Sequence, residues 1–443
     1  MGELLHAMKA YADGKTARFH MPGHKGYPLS NPVFGGISAF DLTEIDGLDS
    51  LYHAAGVIRQ TEWAYAKLYG SADCYLSAGG STLCIQAMLA LALSPGDKLL
   101  ASRGTHISAV NTMALLDLHP RWILPPLCPV TGLPEAVTSN QVEEGLGVHS
   151  DVKAVYITSP TIFGAMADIG AIAKVCKQRG VPLLVDNAHG AHLAFFSPSR
   201  HPIALGASLC CDSLHKTLPV LTGGAILHVG DERYTLRARE KLSLFGSTSP
   251  SYLILGSIDG ALEDLESGKA AREMARAAAR LEEIRQRAEA RGYLTTEPGE
   301  PLRMMVGAAP LGYTGQAFSA HLRAGGVQPE YAGGGFCLLM ASAQNTDQDF
   351  ARLESALESL PARLPVSSPK FEMILPERVL SPREATFARQ ALLNTEEAPG
   401  RVAGALVAPC PPGIALAAPG ELIDNQLSNI LKNYGISKLS VVE

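Results

Sequence analysis

The sequence predicts an α/β protein whose largest part is built on a mostly parallel sheet. Between about residue 56 and residue 230, helical stretches alternate with short apolar, β-branched runs. Strands separated by helices pair in parallel, and such runs are apolar throughout because the sheet is covered on both faces. A long amphipathic stretch over 271–291 and the shorter elements after it predict a second, smaller α+β unit.

The elements can be predicted in order from periodicity and end signals. Residues 1–50 are rich in Gly, Pro and His and are expected to form an extended arm packed on another surface. Helices are predicted over Val57–Tyr69, Thr82–Leu93, Ile169–Arg179, 271–291 and Thr346–Leu360. Strands are predicted over Cys74–Leu76, Lys98–Ala101, Ala154–Thr158, Pro182–Asp186, Ala225–Val229, Met304–Val306, Val327–Glu330 and Phe336–Met340.

This order predicts five segments along the chain. They are an N-terminal arm (1–55), a large α/β domain (56–270), a linking helix (271–292), a small α+β domain (293–365) and a C-terminal domain (366–443).

Composition excludes several classes of protein. The 443 residues are 47% hydrophobic and 18% charged, as in ordinary globular proteins. The formal net charge of −6 argues against a nucleic-acid-binding protein, which needs a basic surface. No apolar run is long enough for a membrane span, and the N-terminus lacks the pattern of a secretory signal. The eight cysteines form no CxxC pair, so neither a disulfide framework nor a zinc site is expected. A cytoplasmic location is expected.

Lys216 is the first candidate for chemistry. It stands in a turn after an apolar run, in the segment Asp212-Ser213-Leu214-His215-Lys216-Thr217. Burial lowers the pKa of a lysine and makes its amine a nucleophile that can form a Schiff base. Ser213 and His215 offer an oxygen and a ring nitrogen for a phosphate. An exposed loop lysine is the competing interpretation.

Asp186 is the second candidate, at the carboxyl end of a fully apolar predicted strand. Ligands of open α/β sheets bind outside the carboxyl ends of the strands. A carboxylate there can keep a pyridinium nitrogen protonated, and the small Ala188 lets a flat ring lie close. The alternative for Asp186 is a helix N-cap.

Two further segments complete the candidate site. Gly79-Gly80-Ser81-Thr82 lies between a predicted strand and a predicted helix, where backbone N–H groups and two hydroxyls can hold a phosphate. His106 follows another strand and can stack on a pyridine ring. His189 and His192 have a spacing that a metal pair could use, but no acidic or thiol cluster follows them, and no metal is expected.

At this point the chain resembles the fold-type-I Orn/Lys/Arg decarboxylases, in particular their shorter bacterial arginine/lysine branch. The resemblance covers nearly the whole chain. Its motifs are Phe19-His20-Met21-Pro22-Gly23-His24-Lys25-Gly26, Asp41-Leu42-Thr43-Glu44-Ile45 with Gly47-Leu48-Asp49, Gly80-Ser81-Thr82, Ser159-Pro160-Thr161, Asp186-x-Ala188-His189, Ser213-x-His215-Lys216-Thr217-Leu218, Ser381-Pro382-Arg383-Glu384-Ala385, Pro411-Pro412-Gly413-Ile414 and Pro419-Gly420-Glu421.

The resemblance implies a pyridoxal-phosphate enzyme that works as a homodimer or higher homo-oligomer, with active sites at the subunit interface. Lys216 becomes the Schiff-base lysine and Asp186 the partner of the pyridinium. The other implied cofactor-binding residues are Gly80, Ser81, Thr82, His106, Ala188, His189, Ser213 and His215, of which His106 supplies the stacking ring and His215 is also a candidate for catalysis.

The implied reaction is decarboxylation of a basic L-amino acid, arginine first and then lysine or ornithine. The distal cation of such a substrate needs a carboxylate. Glu421 is the first choice and Glu384 the second, while Glu44 and Asp49 also lie in family-like motifs.

Departures from the family pattern keep two alternatives open. Asn187 replaces an acid, Ile162 replaces an aromatic residue with a hydroxyl, Cys410 replaces a tyrosine, and Gly79 replaces an asparagine. An aminotransferase or lyase would use the same cofactor, with Arg303 as the candidate clamp for the substrate carboxylate. A non-catalytic homologue acting as a regulatory or assembly subunit is the other alternative.

Overall fold

The computed structural model describes residues 2–443 except 15, 130, 297–298, 368–371 and 409–414. Its helices are α1 (Glu3–Asp13), α2 (Val57–Tyr69), α3 (Gly80–Ala92), α4 (Ile107–Leu115), α5 (Ser139–Val148), α6 (Ile169–Arg179), α7 (Leu214–Thr217), α8 (Thr235–Phe245), α9 (Tyr252–Glu266), α10 (Lys269–Ala290), α11 (Gly315–Ala324), α12 (Asp347–Glu358), α13 (Pro382–Phe387) and α14 (Asn425–Asn433). Its strands are β1 (Asp73–Ser77), β2 (Lys98–Ser102), β3 (His119–Ile123), β4 (Val152–Thr158), β5 (Leu183–Asp186), β6 (Leu209–Asp212), β7 (Ala225–Val229), β8 (Leu294–Thr295), β9 (Arg303–Gly307), β10 (Tyr331–Gly333), β11 (Phe336–Met340), β12 (Gln390–Asn394) and β13 (Lys438–Val442).

Contacts between residues divide the chain into two compact units. The first unit comprises Met1–Ala92 and Pro182–Arg272, and the second comprises Leu93–Val181 and Glu273–Glu443. This division cuts the expected large domain at residues 92 and 182. The five segments expected from the sequence therefore stay a prediction.

The first unit contains four neighbouring strands in the order β1-β7-β6-β5. Strands β5 and β6 are parallel, while β7 is antiparallel to both β6 and β1. All four strands are buried along their whole length. Helix α3 packs against β6 and β7, and α2 packs against β1, so the site described below stands on a rigid scaffold.

The N-terminal segment begins with a helix, so the expectation of an extended arm is wrong for residues 3–13. Helix α1 packs against α2 and α9, where Leu4 and Met8 are fully buried. The backbone N–H of Leu5 donates to the carboxylate of Asp259 on α9 at 2.8 Å. The short apolar pair at an i, i+4 spacing gives too weak a periodic signal to predict this helix. Short 3₁₀ turns follow at Pro32–Phe34, Ile37–Ala39 and Leu51–His53.

The second unit contains three groups of paired strands. Strands β3, β2 and β4 are parallel, β10-β11-β9-β8 form an antiparallel sheet, and β12 pairs with β13. The strand expected over Val327–Glu330 is wrong, because the observed strand, β10, covers Tyr331–Gly333 instead. Pro329 lacks the N–H that a ladder needs, and the first N–H after it, from Glu330, donates to the carbonyl of Leu338 at 2.9 Å.

With these corrections, the α/β prediction is confirmed, since parallel strands alternate with helices in both units. The apolar stripe of α10 is buried as expected. Among the described residues, none of the helices combines the length and apolar character that crossing a bilayer requires.

Candidate active site

The turns that follow β1, β5 and β6 lie at one edge of the first unit's strands. Strand β5 runs parallel to β6, and both β1 and β6 run antiparallel to β7, so β1, β5 and β6 point the same way. Their carboxyl ends therefore meet at the same edge, the position where open α/β sheets bind ligands. The three candidate motifs of this unit begin at these ends.

Lys216 projects from the one-turn helix α7, directly after β6. Its backbone N–H donates to the carbonyl of Ser213 at 3.1 Å, which closes the turn. Its Nζ lies 3.0 Å from Nε2 of His189, and both side chains are partly buried. The competing interpretation of an exposed, solubilising lysine does not fit this position.

Asp186 is the last residue of β5 and is buried. Its Oδ1 accepts hydrogen bonds from the backbone N–H of Ala188 at 3.1 Å and from the thiol of Cys211 at 3.7 Å. The next element is a 3₁₀ turn over Ala191–Phe195 whose N-cap position is Gly190. Asp186 is therefore not the N-cap of a helix, which removes the alternative explanation for a carboxylate here.

The expected phosphate turn opens α3, which begins at Gly80 with φ of +68°. The first N–H groups of a helix have no carbonyl partner within it, so Ser81 and Thr82 present donors at this end. Gly80 N–H itself donates to the carbonyl of Gly223 at 2.8 Å. Gly223 has φ of +100°, and a Cβ there would lie 3.2 Å from the carbonyl oxygen of Ala78, so this turn requires glycine.

The same turn before β7 holds the lysine motif. The backbone N–H of His215 donates to the carbonyl of Gly224 at 3.3 Å, and its Nδ1 lies 3.0 Å from the same oxygen. Because a carbonyl only accepts, Nδ1 carries a proton in this contact. The two motifs expected to bind phosphate are thus tied to one glycine pair, Gly223-Gly224.

A buried polar cluster lies behind the lysine motif, and sequence reasoning missed it. The carboxylate of Asp212 accepts from Nε2 of His201 at 3.1 Å, from Nε2 of His228 at 3.2 Å and from the amide of Asn187 at 2.6 Å. Burial favours the neutral form of Asp212, but the pull of the two imidazoles outweighs it and holds the pKa of Asp212 below its ordinary value. Burial lowers the pKa of His228. A histidine within the apolar strand β7 was the available signal.

The cluster is not built to hold a metal. His201, Cys210 and Asp212 bring ligand atoms within 4.8 Å of one another, a spacing that a cation could use. However, Nδ1 of His201 accepts from the backbone N–H of Ile203 at 3.3 Å, so the proton of the neutral ring lies on Nε2. That nitrogen donates to Asp212 and has no lone pair for a metal.

His106 belongs to the second unit, where it caps α4. Its Nδ1 accepts from the backbone N–H of Ser108 at 3.2 Å, and the Ser108 hydroxyl lies 2.8 Å away. The cap fixes the imidazole at the end of the turn after β2. Its stacking role remains a prediction.

Glu421, the first choice for reading the substrate cation, lies in a buried ion pair, and its substrate role stays a prediction. Its side chain is 1% exposed, and both carboxylate oxygens accept from the guanidinium of Arg103 at 2.6 Å. One of them also accepts from the backbone N–H of Ala418 at 2.7 Å. A carboxylate paired in this bidentate way has its charge compensated within the chain.

Glu384 also has a structural position. Its carboxylate accepts from the backbone N–H of Ser381 at 2.7 Å in the capping box of α13, and this side chain is exposed. The hydrogen bond from the Ser381 N–H lowers the pKa of Glu384. Arg303, the candidate clamp of an aminotransferase, donates to the carbonyl of Thr161 at 2.9 Å and lies 3.5 Å from Glu300. Cys410 lies outside the described residues.

Comparison with known families and sequences agrees with the resemblance. Residues 3–304 match the major domain of the Orn/Lys/Arg decarboxylases, and residues 367–435 match their C-terminal domain. An arginine decarboxylase of Halalkalibacterium halodurans is 28% identical over 459 residues, covering 97% of this chain and 93% of that protein. An arginine decarboxylase of Bacillus subtilis is 29% identical over 455 residues, with the same two coverages.

Solved structures share the fold. A lysine decarboxylase of Francisella novicida superposes with a TM-score of 0.87, at 17% identity, over 100% of this chain and 81% of that one. The constitutive lysine decarboxylase of Escherichia coli superposes with a TM-score of 0.82, at 18% identity, over 100% and 82% of the two chains.

Proposed function

The chain belongs to the Orn/Lys/Arg decarboxylase family, and we propose that it removes the α-carboxylate of arginine, using pyridoxal phosphate held in its first unit. Membership makes it a decarboxylase of basic amino acids. Arginine comes first because relatives that cover nearly the whole chain are arginine decarboxylases.

One observation carries the assignment of the site. A lysine amine, a buried carboxylate and a helix N-terminus with two hydroxyls all follow strands that end at the same edge. These are the partner groups that an aldehyde, a protonated pyridine nitrogen and a phosphate require. The buried hydroxyl of Thr217, next to Lys216, has no hydrogen-bond partner among the described residues, which suits an oxygen-rich ligand.

Each residue then has a separate task. The amine of Lys216 would hold the aldehyde group of the cofactor. Asp186 keeps a proton on the ring nitrogen, and the bound cofactor supplies an electron sink for the pair that CO₂ leaves behind. The small Ala188 leaves room for the ring plane.

The phosphate is held by the α3 turn together with the lysine motif. Gly80, Ser81 and Thr82 provide the first turn of α3, and Ser213 contributes a buried hydroxyl. His215 adds its imidazole, fixed by Gly224. Placing an anion at a helix N-terminus uses both the unpaired N–H groups and the helix dipole.

The carboxylate that reads the distal cation is assigned to Glu44. Glu421 and Glu384 are engaged as described, and Asp49 accepts from the backbone N–H groups of Ala55 and Gly56. Glu44 is exposed in the first unit and accepts from the hydroxyl of Ser50 at 2.8 Å. A guanidinium can form a bidentate pair with such a carboxylate, which favours arginine over lysine.

The active form is proposed to be a homodimer. Large apolar side chains between residues 16 and 37 face solvent in the single chain, including Phe19 at 97% and Val33 at 81% exposure. Clustered exposed apolar residues of this kind mark protein interfaces. A second copy covering them would bring the FHMPGHKG motif into an interface.

The deciding experiment is incubation of the purified chain with pyridoxal phosphate and, separately, L-arginine, L-lysine and L-ornithine. We expect CO₂ and the matching amine, fastest with arginine. Borohydride reduction should fix the cofactor to the peptide containing Lys216, and attachment at Lys25 or Lys98 would refute that assignment. A keto acid without CO₂ would indicate an aminotransferase, whereas neither cofactor absorbance nor product would indicate a non-catalytic homologue.

A further inference from the structure

We propose that His189 exchanges a proton directly with the amine of Lys216 and so controls when that amine is nucleophilic. The inference rests on the proposed function in assuming that Lys216 must react as a free amine. It goes further by giving His189 an acid–base role, whereas the sequence predicts only a contact with the cofactor.

The geometry singles out one imidazole in the first unit. Nε2 of His189 lies 3.0 Å from Nζ of Lys216, which is hydrogen-bond distance with one proton between the two nitrogens. The Nδ1 of His215, next in sequence to the lysine, is held by the carbonyl of Gly224. His201 and His228 donate to Asp212.

The turn that carries His189 is fixed on both sides of it. Ala188 N–H donates to Asp186, and Gly190 N–H donates to the carbonyl of Asn187 at 2.7 Å. A Cβ at Gly190 would lie 2.1 Å from Oδ1 of Asn187, so a larger residue there would push aside the amide that donates to Asp212. The backbone that carries His189 is therefore held in place on both sides of the residue.

The proton balance follows from the contact. When the pair reacts, the Nζ–H bond breaks with its electron pair left on Nζ, and an Nε2–H bond forms, so nothing is oxidised or reduced. Two positive charges at 3.0 Å repel each other, which disfavours the state in which both groups are protonated. The two groups then titrate as a coupled pair.

Coupling predicts a distinctive pH dependence of the free amine. With ordinary pKa values of about 10.4 and 6.5, an isolated lysine loses about 100-fold of its free amine between pH 7 and pH 5. A coupled pair loses only about 20-fold or less, because protonation of His189 at low pH drives the proton off Lys216.

The test measures the amine itself in the full chain freed of cofactor. Cyanate, which carbamylates neutral amines, is applied from pH 5 to pH 9, and the rate at Lys216 is read by peptide mass spectrometry. Each rate is divided by the rate at an exposed lysine of the same sample, so that the pH dependences of the reagent and of an ordinary amine cancel. We expect this ratio to rise about fivefold or more from pH 7 to pH 5 in the wild type and to stay constant in His189→Gln. Glutamine keeps a hydrogen-bond partner for Nζ but cannot take its proton.

Two controls isolate the effect. Lys67, exposed on α2 of the same unit, normalises the reagent within each sample, and His6→Gln replaces an exposed histidine of α1. A wild-type ratio of Lys216 to Lys67 that stays constant from pH 7 to pH 5 would overturn the inference, even if His189→Gln fails to fold. Equal profiles in wild type and His189→Gln would do the same.

The outcome is separable from that of the proposed function. Failure to release CO₂ from any basic amino acid would refute the function and leave the coupled titration standing. Release of CO₂ together with an uncoupled Lys216 would refute the role of His189 alone.

Discussion

Replacing Glu421 by glutamine tests whether this carboxylate stabilises the fold or reads the substrate. In the structure it accepts two hydrogen bonds from Arg103 and one from Ala418, with both charged side chains buried. Glu421→Gln removes the negative charge and leaves the guanidinium buried without its counter-ion. Breaking a buried pair in this way costs about 3–5 kcal/mol of unfolding free energy.

The measurement is guanidinium denaturation followed by circular dichroism and by tryptophan fluorescence. Trp122 is a local probe, because the guanidinium carbon of Arg103 lies 5.2 Å from its ring centroid. Glu384→Gln is the matched control, since its exposed carboxylate only caps α13, so the denaturation midpoint should stay close to that of the wild type.

The double variant Arg103→Met with Glu421→Met separates charge from packing. It removes both ions, so we expect it to be more stable than Glu421→Gln. Recovery should be partial, because Arg103 also donates to the carbonyls of Ala415 and Leu416, which lose their partner. An unfolding free energy of Glu421→Gln within about 0.5 kcal/mol of wild type, joined to a raised KM for basic substrates, would refute the structural role and restore the substrate role.

Three further outcomes are expected. Burial lowers the pKa of His228 in the folded chain. Below about pH 6.5 the histidine therefore binds a proton in the unfolded chain but stays neutral in the folded chain. The folded state loses stability as the pH falls below this value, by up to about 1.4 kcal/mol per pH unit. Urea midpoints between pH 7.5 and pH 5.5 should therefore depend less on pH in His228→Gln, and an unchanged slope would contradict this. Asp186→Asn should retain cofactor absorbance while turnover falls by orders of magnitude. Near-normal turnover would limit Asp186 to a structural role. Met8→Ala should lose about 2–5 kcal/mol of unfolding free energy in denaturant titrations, and Met8→Leu less than about 1.5, whereas equal losses would mean that α1 is not packed as described.

Local signals were sufficient for much of the fold. Helices Val57–Tyr69 and Ile169–Arg179 were predicted with their observed bounds, because each ends at a glycine in the left-handed conformation. Strand Ala225–Val229 was predicted with its observed bounds from its apolar run. Helix α1 was missed because its stability comes from contacts with α2 and α9, which lie far away in sequence.

In the candidate site, too, some residues could be predicted from the sequence and others could not. Lys216 and Asp186 were predicted because the rule that ligands bind at the carboxyl ends of strands needs only the order of elements. The pairing of Glu421 with Arg103 joins residues 318 positions apart, and no spacing rule connects them. The family-like motif around Glu421 therefore suggested recognition of a substrate, whereas the observed contact is an internal ion pair.

The contact between Lys216 and His189 depends on two turns that meet in space, 27 residues apart. The family resemblance implied that both residues contact the cofactor but could not say which ring nitrogen reaches the amine. That distinction decides whether an imidazole only contacts a ligand or also moves a proton.

Asn187 is the departure from the family pattern that most directly touches the question of catalysis. Its amide donates to the carboxylate of Asp212 at 2.6 Å, inside the buried cluster. An acid at position 187 would bring a second carboxylate to this distance. Two carboxylates this close repel each other when both are ionised, so one of them would have to take up a proton. An amide is therefore the side chain that suits Asp212, which already accepts from His201 and His228. On this reasoning Asn187 reflects the local partner it has in this chain, and it gives no support to a non-catalytic homologue.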